Sequence, residues 1–552
     1  MRLLSRRLQG PLALGLYLAA FVLASCASPA RPRLQDPATT ASSTVAPVTA
    51  ATPVAPATPI ADATPGATAA PASTAVTTGA ASAPRPAVPE PQLFDTAWDD
   101  RAPFAPGLIK SEQSALQALP GASIYHIDLR LSDDLTRLKG REEVRYTNTE
   151  DVALDEVYFR LFPNLADGAS KVANVTVNGA PVQPRYELRD SAMAVPMVPP
   201  LQPGEQVVIG MDFDVTVPTE PGGNYGTFAL RDGILALAHF YPMIAVYDET
   251  GWNVEIAPAI GDVVYTDSGY YLVQASVPVG QQMLTSGREI DRQEQGDRQT
   301  LTFAAGPVRD FYIVSSDRYD VVSRKVGETT INAYAPSDVQ GANKNALDFA
   351  VGAVKTYSDL VGAYPFTELD LVGTPTLAGG VEYPGLVVIA LSLYDRTDFF
   401  FEAVVAHEVG HQWFYSTVGD DQVDEPWLDE SLTQYLTLRY YGDAFGKSGY
   451  DGFRTYLDDR WHSAEDTKKP IGLPVAAYGE EEYSAIVYGK GPLFFEALAN
   501  KMGEAQFDTF LKDYYRTFEY GISTTASLKQ LAEKHCGCDL TPLFKEWVYP
   551  QN

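Results

Sequence analysis

Apolar and polar residues alternate with a period of two along several stretches in the first half of the chain. Val207, Ile209, Met211, Phe213, Val215 and Val217 are separated by Val208, Gly210, Asp212, Asp214 and Thr216; Tyr125, Ile127, Leu129 and Leu131 are separated by His126, Asp128 and Arg130. Alternation of this kind predicts half-buried strands, because successive side chains of a strand point to opposite faces. Asn178-Gly179, after Val175-Thr176-Val177, is a hairpin signal. Several such strands between Gly/Pro turns predict an antiparallel β-sandwich or saddle-shaped sheet over residues 95–316. Beyond about 317 the pattern turns helical. Over 343–362, Ala346, Phe349, Val351, Ala353 and Val354 fall largely on one side, and strands are expected at 369–372 and 386–390. Further helices are expected at about 398–416, from Asp424-Glu425-Pro426 to near Gly442, and as amphipathic segments at 504–518 and 525–535. The chain therefore reads as multidomain α+β, with a β-rich domain at 95–316 and a mostly helical domain at 317–552.

The N-terminus departs from both patterns. Arg2, Arg6 and Arg7 precede an apolar run over 12–24 that ends in small residues, which predicts a secretory signal. The run is well short of the roughly 20 residues of a membrane span. Leu23-Ala24-Ser25-Cys26 resembles the bacterial lipobox, so Cys26 is expected to carry a lipid and 1–26 to be the signal. Residues 27–94 are almost wholly Ala, Thr, Pro, Ser and Val, which predicts a disordered linker reaching on the order of 45 Å. The formal net charge is −29, with no basic cluster outside the extreme N-terminus. That balance argues against nucleic acid and anionic membrane surfaces as partners. The expected setting is extracytoplasmic, held to a bacterial membrane through the lipid anchor alone. Three cysteines, Cys26, Cys536 and Cys538, are too few for a disulfide scaffold or a Cys-ligated zinc finger. His535-Cys536-Gly537-Cys538 reads as a local disulfide or two inert thiols rather than a second metal site.

The candidate chemistry starts at His407-Glu408-Val409-Gly410-His411. Two histidines four apart on a helix project from one face and can reach a single metal ion. Glu408 then stands beside the ion, where a general base for an activated water belongs. A zinc site that does chemistry has three protein ligands and one open position. Glu430, in Trp427-Leu428-Asp429-Glu430 with eighteen residues between it and His411, can supply the third. A pair of core histidines is the plain alternative. Upstream, Gly379 and Gly380 allow close backbone approach to a ligand and Glu382 puts a carboxylate beside it. The aromatic and acidic stretch 240–253 either lines a cleft or packs as a loop between strands.

His-Glu-x-x-His followed after eighteen residues by Glu, within Trp-Leu-Asp-Glu, resembles the gluzincin zinc aminopeptidases, the family of membrane alanyl aminopeptidase and leukotriene-A hydrolase. The resemblance implies a β-rich N-terminal domain covering one side of the cleft and a thermolysin-like catalytic domain. It also implies one Zn²⁺ per chain on His407, His411 and Glu430, with Glu408 as base. The family's Gly-Ala-Met-Glu-Asn stretch is matched by Gly379, Gly380 and Glu382, with Val381 for Met and Tyr383 for Asn. Glu382 is thereby implied to hold the free α-amine of a peptide substrate. Tyr488, in the context Tyr-x-Lys-Gly, is implied to stabilise the tetrahedral oxyanion, and Tyr483 is a second tyrosine for the cleft. The family's Gln or Glu of the β-rich domain, which touches the substrate amine, has no evident counterpart in the sequence. Larger relatives continue into a helical-repeat domain, so a more open cleft is expected here. The implied activity is hydrolysis of the N-terminal peptide bond. The alternatives are a thermolysin-like endopeptidase acting on blocked peptides and a catalytically silent binding protein on the same fold; one branch of the family also has an epoxide hydrolase activity.

Overall fold

The computed structural model describes residues 93–396 and 399–550, which belong to one compact unit. The signal, Cys26 and nearly all of the linker lie outside the described residues.

The β-rich half is built on an eight-stranded sheet in the order Arg288–Gln295, Arg298–Val308, Gly269–Pro278, Ile124–Leu131, Arg137–Thr147, Gln206–Thr216, Ala169–Val177, Ala180–Pro181. Gln206–Thr216 buries every second residue, as its alternation predicts. Asn178 and Gly179 take positive φ (48° and 77°) in the tight turn joining the last two strands. Two departures from expectation have physical causes. Ile124–Leu131 pairs parallel with Gly269–Pro278, so the sheet is not wholly antiparallel. His126 is buried instead of exposed, because Trp98 stacks on its ring at 4.2 Å and covers that face. Two four-stranded sheets and a two-stranded one, Tyr247–Asp248 with Gly251–Trp252, complete the described part of this half, and inward residues of the four-stranded sheets share one core with the helices.

The second half opens with a five-stranded sheet that contains the strands expected at 369–372 and 386–390 and adds three more. Its order is Tyr319–Val326, Thr329–Pro336, Glu368–Thr374, Leu386–Ala390, Gly380–Val381. Glu368–Thr374 is parallel to both neighbours, and the short edge strand Gly380–Val381 is antiparallel to Leu386–Ala390. The helices are α1 (Gln340–Leu360), α2 (Phe399–Gly410), α3 (Trp427–Trp461), α4 (Glu480–Ala485), α5 (Gly491–Met502), α6 (Glu504–Thr517), α7 (Thr525–Cys536) and α8 (Thr541–Trp547). α2 is shorter than predicted: after Gly410 the chain turns, with Tyr415 at φ 111° and its N–H donating to the Val418 carbonyl at 2.8 Å. α3 is longer than predicted. It passes Gly442 intact and breaks its backbone only at Gly446 before continuing to Trp461. Cys536 and Cys538 form a disulfide, and His535 pairs with Asp513, so the tail motif is not a metal site.

Glu142 is an anomaly within the large sheet. It lies opposite Ile127, is 0% exposed, and neither carboxyl oxygen has a partner. Burial pushes its pKa well above the ordinary carboxylate range. The unfolded chain releases this proton near pH 4.3, whereas the folded chain keeps it; folding stability is therefore lost as pH rises, by about 1.4 kcal/mol per unit until the folded pKa is reached. Glu142→Gln is expected to raise Tm at pH 7 and to give little or no gain at pH 4. Thermal melts with the same gain at both pH values would contradict this account.

Candidate functional site

Helices α2 and α3 approach closely where Gly410 faces Thr433: a Cβ built on Gly410 would lie 2.8 Å from Thr433 Cγ2. His407 occupies the last turn of α2, His411 follows just past its end, and Glu430 stands in the first turn of α3. All three are buried. His407 Nε2 lies 3.0 Å from Glu430 Oε2, His411 Nε2 lies 3.3 Å from the same oxygen, and the two Nε2 atoms are 3.1 Å apart.

Three lone-pair donors converging on one point fit a cation. A tetrahedron with bonds of about 2.0–2.1 Å has edges of about 3.3 Å, close to the observed spacings, and two imidazoles with a carboxylate are a donor set that zinc takes. The imidazole of His411 is aimed by its other nitrogen, with Nδ1 2.9 Å from the Phe414 carbonyl oxygen. Asp429 Oδ1 accepts from the Glu430 backbone N–H at 2.6 Å, so the residue before the carboxylate ligand also has a fixed place.

Glu408 lies beside this group without joining it. A Cβ on Gly380 would sit 2.4 Å from the Glu408 side chain, so glycine at 380 is what gives the carboxylate room. Gly379 has ordinary space around it, its nearest neighbour being Val404 at 3.6 Å. With only protein groups around it, burial pushes the Glu408 carboxyl well above its usual range. A bound dication acts in the opposite direction. Glu382 is 5% exposed and accepts from Gln422 Nε2 at 2.8 Å. Its loop is tied to the segment after α2: Gly385 N–H donates to Gln412 Oε1 at 2.8 Å and Gln412 Nε2 donates to the Tyr383 carbonyl at 3.1 Å. Tyr383 stacks on Tyr312 with ring centroids 3.8 Å apart, which gives the large ring a packing role where the family has Asn.

Tyr488 lies on a single π-helical turn, Ile486–Lys490, between α4 and α5. Ser431 Oγ donates to the Val487 carbonyl at 2.6 Å and fastens this turn to α3 one residue after Glu430. The Tyr488 hydroxyl donates to Glu430 Oε1. Burial first, then the Glu430 charge, hold the phenol far above its ordinary pKa, so it stays a donor. Arg460 lies over the Tyr488 ring at 4.9 Å and donates to the backbone and side chain of Ser484. Tyr483 is buried edge-on to Tyr488 with its centroid 5.7 Å away, and its hydroxyl has no protein partner.

His407, Glu408, His411, Glu430, Glu382, Tyr383, Gln422, Tyr483 and Tyr488 line one cavity of about 320 Å³. The β-rich half supplies the opposite wall through Tyr225, His239 and Asp262, none of which the sequence reading singled out. Tyr225 has left-handed backbone (φ 55°); its carbonyl accepts from Leu377 N–H at 2.8 Å and from Thr376 Oγ1 at 3.0 Å, fixing the loop before Gly379. The cluster Pro221-Gly222-Gly223-Asn224 was the available signal for this turn. His239 Nε2 pairs with Asp310 Oδ2 at 2.8 Å. Asp262 lies near both Glu382 and Glu430, and burial, then the Glu382 charge, raise its pKa. Of the stretch 240–253, Phe240 and Tyr241 are packed in the core and no residue lines the cavity, so the packed-loop alternative applies.

Residues 345–547 match the Peptidase family M1 domain. "Probable aminopeptidase 2" of Sulfurisphaera tokodaii is 25% identical over 276 residues, 47% of this chain and 35% of that protein. Human "Aminopeptidase B" is 27% identical over 222 residues, 38% of this chain and 34% of that protein. The matched part thus spans about a third of the length of these relatives. In fold, the chain is similar to the M1 zinc metallopeptidase from Deinococcus radiodurans, with a TM-score of 0.58 at 20% identity over 78% of this chain and 94% of that one. A mutant of that protein has been solved with a Tyr-Ser-Ala substrate bound.

Metal analysis separates the ligands from their neighbour. His407→Ala and Glu430→Ala each remove a donor and should lower zinc content well below about one ion per chain, whereas Glu408→Gln should keep about one. Zinc lost from Glu408→Gln would place Glu408 among the ligands.

Proposed function

Since residues 345–547 match the Peptidase family M1 domain, we propose that this chain is a zinc aminopeptidase, hydrolysing the first peptide bond of peptides that carry a free N-terminus. The observation that carries the reading is the meeting of Glu382 with the metal-binding group, Glu408 and Tyr488 in one cavity.

His407, His411 and Glu430 would hold the ion. Zinc bound there supplies Lewis acidity and makes a water molecule acidic enough to attack near neutral pH, its pKa falling toward about 7. Glu408 takes the proton of the attacking water and delivers it to the leaving amine. The Tyr488 hydroxyl donates to the oxygen on which negative charge develops, an interaction strongest in the transition state. Glu382 pairs with the α-ammonium of the substrate, and Asp262 adds a second carboxylate from the opposite wall. The tripeptide held by the Deinococcus neighbour supports a short peptide as substrate.

We also propose that the chain is exported and lipid-anchored through Cys26. Arg2, Arg6, Arg7, the apolar run and the lipobox-like Leu23-Ala24-Ser25-Cys26 support this. Among the described residues no helix is long and apolar enough to cross a membrane.

Two experiments test these readings. Glu382→Gln is expected to lower kcat/KM on aminoacyl amides by roughly 10²-fold or more, about 3 kcal/mol in the transition state, with zinc content unchanged. The wild type should scarcely cleave an N-acetylated peptide. Equal cleavage of acetylated and free peptides, unaffected by Glu382→Gln, makes the enzyme an endopeptidase. For the anchor, Cys26→Ser should move the protein from the membrane to the soluble fraction; a variant that stays membrane-bound at high salt rules the lipid out.

A further inference from the structure

Gln422 lies on the loop between α2 and α3, only 1% exposed, among acidic groups. Its Nε2 donates to Glu382 Oε1 at 2.8 Å and to Asp429 Oδ2 at 2.8 Å, so both hydrogens of one amide go to two different carboxylates. Oε1 has no protein partner. The opposite orientation of the amide would set its oxygen against two carboxylates, which accept and do not donate when ionised, so chemistry fixes which end faces them. The loop that carries Gln422 is itself held. Asp421 Oδ1 accepts from the N–H groups of Val423 and Asp424 at 2.9 and 3.0 Å, and the Val423 carbonyl accepts from Val475 N–H at 2.9 Å.

We propose that Gln422 is a positioning residue for capture of the substrate N-terminus: its amide clamps the Glu382 carboxylate to Asp429, the residue before the metal-binding Glu430, and so sets the distance from the captured amine to the metal. This rests on the reading of Glu382 as the amine anchor. Two carboxylates that approach without a donor between them repel, and a hydrogen bond to an ionised acceptor is roughly twice as strong as a neutral one. Removing the amide frees Glu382 to swing away from Asp429 and spreads its carboxylate over several positions. The ligand set and the base are untouched by that change. The ammonium of the substrate is then held less firmly and less often in register with the scissile bond, an effect that falls first on KM.

The test is a double-mutant cycle on the full-length zinc enzyme with leucyl-p-nitroanilide as the probe, comparing wild type, Gln422→Met, Glu382→Gln and the double variant, each with its zinc content measured. Gln422→Met is expected to lower kcat/KM by roughly tenfold, chiefly through KM, with zinc retained. In the Glu382→Gln background the same substitution is expected to cost less than about twofold, because the group it positions is already gone. Gln422→Asn keeps an amide in the buried site and serves if the methionine variant does not fold; its loss should likewise vanish in the Glu382→Gln background. Losses that multiply in the double variant, or zinc lost from Gln422→Met, overturn the proposal while leaving the amine anchor intact. A harmless Glu382→Gln removes the anchor itself, and the positioning role with it.

Discussion

Four carboxylates, those of Glu382, Glu408, Asp429 and Glu430, are buried around two imidazoles, and the whole site depends on how that charge is balanced. An unpaired buried charge costs several kcal/mol, so a cluster of this kind persists only where cations and donors are supplied to it. The protein supplies donors one by one: the Gln422 amide to Glu382 and Asp429, the Tyr488 hydroxyl to Glu430, and the Glu430 backbone N–H to Asp429. A divalent cation among His407, His411 and Glu430 supplies the remainder. Metal binding is thereby coupled to the stability of the fold as well as to its chemistry.

That balance requires α2, α3 and the edge strand Gly380–Val381 to be close together. Gly410 lets α2 press against Thr433, and Gly380 leaves space for the Glu408 carboxylate. Tyr357 on α1 reaches under α2 to the Ala406 carbonyl at 2.9 Å, and Trp413 donates to the Gly362 carbonyl at 2.8 Å. The fold thus spends its core contacts on holding two helices and one sheet edge in fixed register, where small displacements at reacting atoms are costly.

Sequence periodicity revealed what depends on local pattern. The Gln206–Thr216 strand, the Asn178-Gly179 turn and the helices of the tail could be read because their residues alternate, cap or repeat within one element. The His407-Glu408-His411 spacing was legible for the same reason, since side chains within one turn of a helix and the residue just past it need no knowledge of tertiary structure. Helix ends were less legible. α3 runs on past Gly442 through exposed residues and breaks its backbone only at Gly446, so a glycine alone does not mark a helix end. Tyr225, His239, Asp262 and Gln422 were missed for a deeper reason. Each reaches the cavity from a loop whose course is set by contacts far along the chain, as when the Tyr225 carbonyl meets Leu377. No local period records such a meeting. Tyr383 is a related case: its ring lines the cavity and also stacks on Tyr312 of the β-rich half, a meeting that the motif does not record.

The cavity has a wall from each half of the molecule, and only one of them falls in the segment 345–547 that matches the M1 domain. Tyr225, His239 and Asp262 lie outside it. The metal-binding group and the wall that meets it are thus encoded in different parts of the chain, yet the two parts share one core, and Arg309 of the β-rich half is buried with its Nε donating to the Tyr415 carbonyl at 2.8 Å. A substitution on either side of the cavity is therefore felt by the other side.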